Sequence, residues 1–291
     1  MREVRAFSSA GARKRSVLRC DFAILWGSRP ERVRPPRDRR GALIDRRLHP
    51  PERSGCADPE RRRTAGIPDD VTFATKPRLG GDMIAAALDA GVTASWVTGD
   101  EAYCQDPHLR ARLEERGIGY APAVACSARV QINNGREPAR ADTVADRLPK
   151  ASWHRQSAGS GAKGPRHYDW AWVRIGSDHH RHLLIPRNRT TGELAFYRCW
   201  SPAEVSLSGL VRVAGARWSV EEYSQAAKGQ VGLDHYQVRH WTAWHRHGRH
   251  HGQTAALVQL APTPPASGST QSLPATISQG THQMDQETAL R

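Results

Sequence analysis

A short buried strand ending in Gly-Asp, with a helix on either side of it, most constrains this chain. Pro77–Ala90 carries Leu79, Met83, Ile84, Ala87 and Leu88 at helical spacing, with proline at its start and Gly91 at its end. Val92–Thr98 follows as a short apolar run with β-branched residues, and Gly99-Asp100 lies at its carboxyl end. Pro107–Arg116 reads as a second helix stopped by Gly117, and Tyr120–Cys126 as the next strand. A strand–helix–strand unit predicts an α/β sheet. Ligands of such sheets bind at the carboxyl ends of the strands, which singles out Asp100. A helix N-cap or turn carboxylate would look the same in the sequence.

The stretch that follows is polar to about Gly164 and includes Ser157-Ala158-Gly159-Ser160-Gly161, which reads as flexible. Three strand-like runs come next, Tyr168–Ile175, His182–Pro186 and Leu194–Cys199, separated by turn residues, and they predict an antiparallel meander. Ser201-Pro202 is expected to open a helix reaching Ala214, and Ser219–Ala227 another. Beyond His247 the chain turns to His, Gly, Pro, Ser, Thr and Gln, and reads as a disordered tail.

Composition narrows the partners. The 291 residues include 43 Lys and Arg against 29 Asp and Glu, a net charge of +14, which favours a polyanion and above all nucleic acid. Residues 1–66 hold 18 of those bases and 8 of the acids, so they carry +10 of the +14. Segment 1–40 is Arg- and Pro-rich with one apolar run, Val17–Trp26, and is expected to be largely disordered. No apolar run approaches the roughly 18 residues of a membrane span, and no secretory h-region follows Met1. Five cysteines without a C-x-x-C pair argue against a disulfide framework and for a reducing cytoplasm. The His-rich stretch Gly248–Gln253, with His250 and His251, could ligate zinc, but no second ligand cluster accompanies it and a solvated basic patch or an unselected tail explains it better.

Arg217, Glu221 and Lys228 are spaced by four and seven residues, offsets that share a face on one continuous helix. A salt-bridge network explains that spacing. So does a carboxylate that holds a metal ion while the cations grip phosphate.

Two of these features resemble motifs of bacterial insertion-sequence transposases of the DDE type. Trp96-Val97-Thr98-Gly99-Asp100-Glu101-Ala102-Tyr103 is similar to their second-aspartate motif. Arg217-Trp218-Ser219-Val220-Glu221-Glu222, continuing to Lys228-Gly229, resembles their third-acid motif, although Ala214 stands where that motif has Tyr. Val71–Pro77, Ala162–Arg166 and Gly232–Arg239 resemble the family as well, so the resemblance runs from about Gly41 to His247.

The resemblance implies a ribonuclease H-like mixed sheet with flanking helices and a β-rich insertion at about 127–200, between the second and third acids. Disordered segments at 1–40 and 248–291 would flank this domain. It implies Asp100 and Glu221 as catalytic metal ligands for Mg²⁺, with Mn²⁺ as a substitute, acting on a DNA phosphodiester. Arg217, Lys228, Arg239, Lys163 and Arg166 would hold DNA. The implied partners are terminal inverted repeats, target DNA and a second copy in a synaptic complex, in a bacterial cytoplasm at the nucleoid.

The family's first Asp, on an early hairpin strand, has no counterpart motif here. Asp21 is a positional decoy whose neighbours do not match, and residues 27–66 show no strands to complete the hairpin; Asp45 belongs to a later family segment. These departures suggest a copy shifted in frame or truncated at both ends, with strand cleavage impaired. Two rivals remain: a non-catalytic DNA-binding protein that interferes with an intact transposase, and an unrelated metal hydrolase using Asp100 and Glu222.

Overall fold

The computed structural model of the chain describes residues 3–8, 22–28, 41–48, 58–161, 164–218, 228–230, 232, 235 and 240–248, the first three segments as strands. The elements run, in chain order, β1 (Glu3–Ser8), β2 (Phe22–Ser28), β3 (Gly41–Leu48), α1 (Pro59–Ala65), α2 (Lys76–Asp89), β4 (Trp96–Gly99), α3 (Glu101–Cys104) and α4 (Pro107–Glu115). They continue with β5 (Gly119–Tyr120), β6 (Ala123–Val124), β7 (Arg129–Ile132), β8 (Glu137–Arg140), α5 (Ala141–Asp146), β9 (His154–Gly161), β10 (Gly164–Arg174), β11 (Arg181–Asn188), β12 (Phe196–Trp200) and α6 (Leu207–Ala216). A further helix spans 241–248.

One sheet has the order β3-β2-β1-β4-β5-β12-β11-β10-β9, with β6 also paired to β12. Strands β3, β2 and β1 form an antiparallel hairpin series, whereas β4 lies parallel to both β1 and β5. This is the ribonuclease H-like mixed sheet with flanking helices that the motifs implied. The meander is present as β10, β11 and β12, antiparallel throughout. Two of the hairpin strands differ from the sequence expectation: β1 precedes the apolar run Val17–Trp26, and β3 falls within 27–66. Arg- and Pro-rich sequence between short strands hides the alternation that would reveal them. Within segment 1–40, only β1 and β2 are described. The tail from 249 onward, with His250 and His251, lies outside the described residues, as does 219–227, where a helix was expected.

Helix starts follow local capping chemistry. The Thr75 side chain accepts a hydrogen bond from the Arg78 amide, with Pro77 in the first turn of α2. Asp106 caps α4 by accepting from the His108 amide at 2.8 Å. Ser206 accepts from Gly209 N at 3.2 Å, so α6 begins at Leu207 and not at Ser201. Ser201 is instead held in extended chain, its amide donating to the His180 carbonyl.

Strand β4 is buried on both faces. Val97 packs with Met83, Ile84, Leu109, Leu113 and Tyr120 beneath α2 and α4. Trp96 packs with Trp170, Leu184, Tyr197, Leu210 and Val213 beneath α6. The sheet therefore sits between two helical layers, which explains why β4 reads as a continuous apolar run and not as an alternation. A third cluster joins α5 to the far face of the insertion through Val144, Ile175, Leu183, Ile185 and Phe196. Trp244 of the 241–248 helix packs on Ala65 and Ile67.

The expected strand Val92–Thr98 is shorter, because Val92 is occupied in closing α2, its amide donating to the Ala87 carbonyl. Tyr120–Cys126 is two strands, since Pro122 has no amide proton for the ladder. The polar stretch before Gly164 holds the β7–β8 hairpin, α5 and β9. Asn133 and Asn134 supply the left-handed conformations of the hairpin turn, at φ 53° and 57°, followed by Gly135 at φ 80°.

His182 makes one element of this sheet pH-sensitive. Its ring stacks on Trp172 at 4.7 Å, and burial holds its pKa below the ordinary value, with Arg174 and His180 adding to the shift. The folded value lies below the unfolded one, so the unfolded chain takes up the proton first. This contribution is complete above about pH 6.5 and is lost as pH falls through the folded value. The melting temperature should fall on acidification from pH 7 to pH 5, and fall less in His182→Phe, which keeps the stacking. Equal slopes in the two proteins would contradict this.

Candidate active site and nucleic-acid interface

Asp100 directly follows β4 and is the N-cap of α3, its carboxylate accepting from the Ala102 amide at 3.0 Å. It is half-buried. Both readings of this residue are thus present together: it is a helix cap, and it stands at the carboxyl end of a central parallel strand. The strand beneath it is fixed by Thr98, whose buried hydroxyl donates to the Ala121 carbonyl at 2.8 Å.

The neighbouring strand decides what else can join Asp100. β1 pairs with β4 in the register Glu3–Trp96, Val4–Val97, Arg5–Thr98 and Ala6–Gly99. The residues level with the end of β4 are therefore Arg5, Ala6 and Phe7. The one acid of β1, Glu3, is level with Trp96, four residues before Asp100 and about 13 Å away along the strand. Asp45 pairs with Leu25 on β3, two strands removed from β1. Asp21 lies outside the described residues.

The third motif begins against the same strand. α6 packs on β4 and β9, and Arg217 is its C-cap. Trp218 stacks on Tyr168 at 5.5 Å between ring centroids, and the Arg166 guanidinium lies 5.0 Å from the Trp218 ring. A register shift between Pro165 and His167 puts Arg166 at a bulge of β10, a device that re-aims a side chain. The structure thus brings Arg166 to Trp218, the sequence neighbour of Arg217. Lys228 is half-buried. Glu221, Glu222, Lys163 and Arg239 lie outside the described residues.

Sequence reasoning missed a set of arginines shared between α4 and the insertion. Arg110, Arg129, Arg181 and Arg198 line one cleft with Glu114 and Tyr120. They come from four elements, so no local charge run announces them. The only signal in the sequence is Pro107, Arg110, Ala111 and Glu114 recurring on one face of α4.

Residues 31–171 match the family model of the DDE superfamily endonuclease. That part of the chain, from just before β3 into β10 and including Asp100, is therefore similar to DDE superfamily endonuclease domains, the class to which the DDE-type transposases belong. Among curated proteins none matches the chain.

Endonucleases of this superfamily generally work with a divalent metal ion. Of the residues described around the end of β4, Asp100 is a suitable oxygen donor, but the strand beside it offers Arg5, Ala6 and Phe7 at that level. Among the described residues no group of three or more His, Cys, Asp or Glu is placed to share an ion. The donor set among the described residues therefore falls short of a two-ion site. Among the described residues no helix is long and apolar enough to cross a membrane.

Proposed function

We propose that the chain derives from an insertion-sequence DNA transposase, that it still binds DNA, and that its strand cleavage and transfer are impaired. The β1–β4 register carries this reading. It sets Arg5, Ala6 and Phe7, and no carboxylate, level with the end of the strand that leads to Asp100. Mg²⁺ held by Asp100 and Glu221, with Mn²⁺ as a substitute, would lack its first protein ligand. Terminal inverted repeats and target DNA are the substrates, and Arg217, Lys228, Arg239, Lys163 and Arg166 are the DNA contacts of this reading. A second copy in a synaptic complex, and a bacterial nucleoid setting, belong to it too. Arg166 held over Trp218, next to Arg217, supports the DNA contacts. A chain that binds ends without cutting them would compete with an intact transposase, so the non-catalytic reading shares the same support.

Losing one ligand of a two-ion site removes several kcal/mol of transition-state stabilisation, or roughly 10³-fold in rate. The test is end cleavage and strand transfer on duplex DNA carrying the element's terminal repeats, with Mg²⁺ and Mn²⁺ in separate arms. We expect salt-sensitive binding, cleavage at background, and unchanged binding in Asp100→Ala. Strong cleavage abolished by Asp100→Ala would show that the site is complete and the impairment wrong.

A further inference from the structure

We propose that the cleft between α4 and the β-rich insertion is a phosphodiester-binding site, a separate contact of the insertion with the DNA backbone. The inference rests on the DNA reading above and adds a site to it.

The cleft measures about 340 Å³. Arg110 comes from α4, Arg129 from β7, Arg181 from β11 and Arg198 from β12, against a single lining carboxylate, Glu114. That carboxylate is engaged on both oxygens. Arg181 donates to one at 2.6 Å, and the Tyr120 hydroxyl donates to the other at 2.7 Å. Burial and the Glu114 carboxylate raise the Tyr120 pKa, so the phenol stays a neutral donor. Arg181 also pairs with Asp178. Arg181 and Glu114 thus form a fixed floor tying α4 to the insertion.

Arg198 donates to the Arg129 carbonyl at 2.5 Å and so braces β7 against β12. Arg129 is exposed and has no ion pair among the described residues. Arginines gathered in one concavity repel each other unless an anion joins them, since a cleft this size is no wider than about a Debye length. A low-dielectric wall on one side concentrates the field. The planar guanidinium fork matches the oxygens of a phosphate bidentately. An ordinary solvated basic face would follow one helix or one run of sequence, whereas here four separate elements converge.

The experiment is fluorescence anisotropy of labelled duplex DNA with the full chain, over a range of salt. Arg110→Gln/Arg129→Gln should bind about tenfold more weakly near 0.1 M salt, with the slope of log K against log salt reduced by about 1.8, the value for two phosphate contacts. Arg129→Gln alone, at an exposed position, should reduce the slope by about 0.9. Arg63→Gln/Arg78→Gln, two exposed arginines outside the cleft, is the charge-matched control. Circular dichroism and melting are recorded for each. Cleft variants that bind like the control would overturn the cleft while leaving the DNA reading intact. A wild-type chain that binds no duplex at any salt would overturn the DNA reading and this site with it.

Discussion

Trp170→Ala should cost about 3–5 kcal/mol of stability, the largest loss expected from any single truncation in the insertion. Trp170 is fully buried in the cluster that joins β4, β10, β11, β12 and α6. Its indole N–H donates to the Gln156 carbonyl at 3.3 Å, so it also binds β10 to β9. Removing it opens a cavity beneath α6, the helix that ends at Arg217. Domains of this size are stable by only about 5–15 kcal/mol, so the variant should unfold at markedly lower urea or temperature. Chemical denaturation followed by far-ultraviolet circular dichroism measures this. A midpoint within experimental error of wild type would mean that the insertion does not pack on α6 as described.

Gly215→Val is the second large effect, and its origin is the opposite one. A Cβ at Gly215 would fall on the Ala158 carbonyl oxygen of β9, well inside van der Waals contact, and backbone cannot swing away as a long side chain can. Overpacking of this kind costs about 1–3 kcal/mol, occasionally more. α6 must lift off β9, which disturbs the seat of Arg217 and Trp218. We expect a lower melting temperature together with weaker DNA binding, since Trp218 would leave Tyr168 and Arg166. Gly229→Ala is the control, because nothing lies within 4 Å of its added Cβ. Wild-type stability in Gly215→Val would refute the close approach of α6 to β9.

These two sites show why some of the fold was legible and some was not. The helices α2 and α4 were readable because proline, capping residues and apolar spacing agree locally. The meander was readable from its alternation and its turns. β9 was not: Ser157–Gly161 has the composition of a flexible linker. Its small residues instead let α6 approach, a reason that exists only once Gly215 is opposite Ala158. The hairpin β7–β8 escaped although its turn, Asn133-Asn134-Gly135, suits a hairpin, because its strands are only four residues long and Pro138 interrupts the second.

The candidate site divides in the same way. Asp100 was legible because a buried apolar run ends beside it, and Arg217 because its motif is local in sequence. That no carboxylate of β1 reaches the level of Asp100 needed the strand register, since a shift of a few residues would have brought Glu3 there. Arg166 beside Trp218 needed the bulge in β10.

The sequence by itself determined the α/β class, the β-rich insertion, the likeness to DDE superfamily endonucleases over residues 31–171 and the position of Asp100. Each of these follows from short-range periodicity or from contiguous motifs. Only the tertiary structure decided which residues stand beside Asp100, how close α6 can come to β9, and that Arg110, Arg129, Arg181 and Arg198 share one cleft. The physical reason is distance along the chain. Register, close packing and converging charge join residues tens of positions apart, and no local propensity encodes such a meeting.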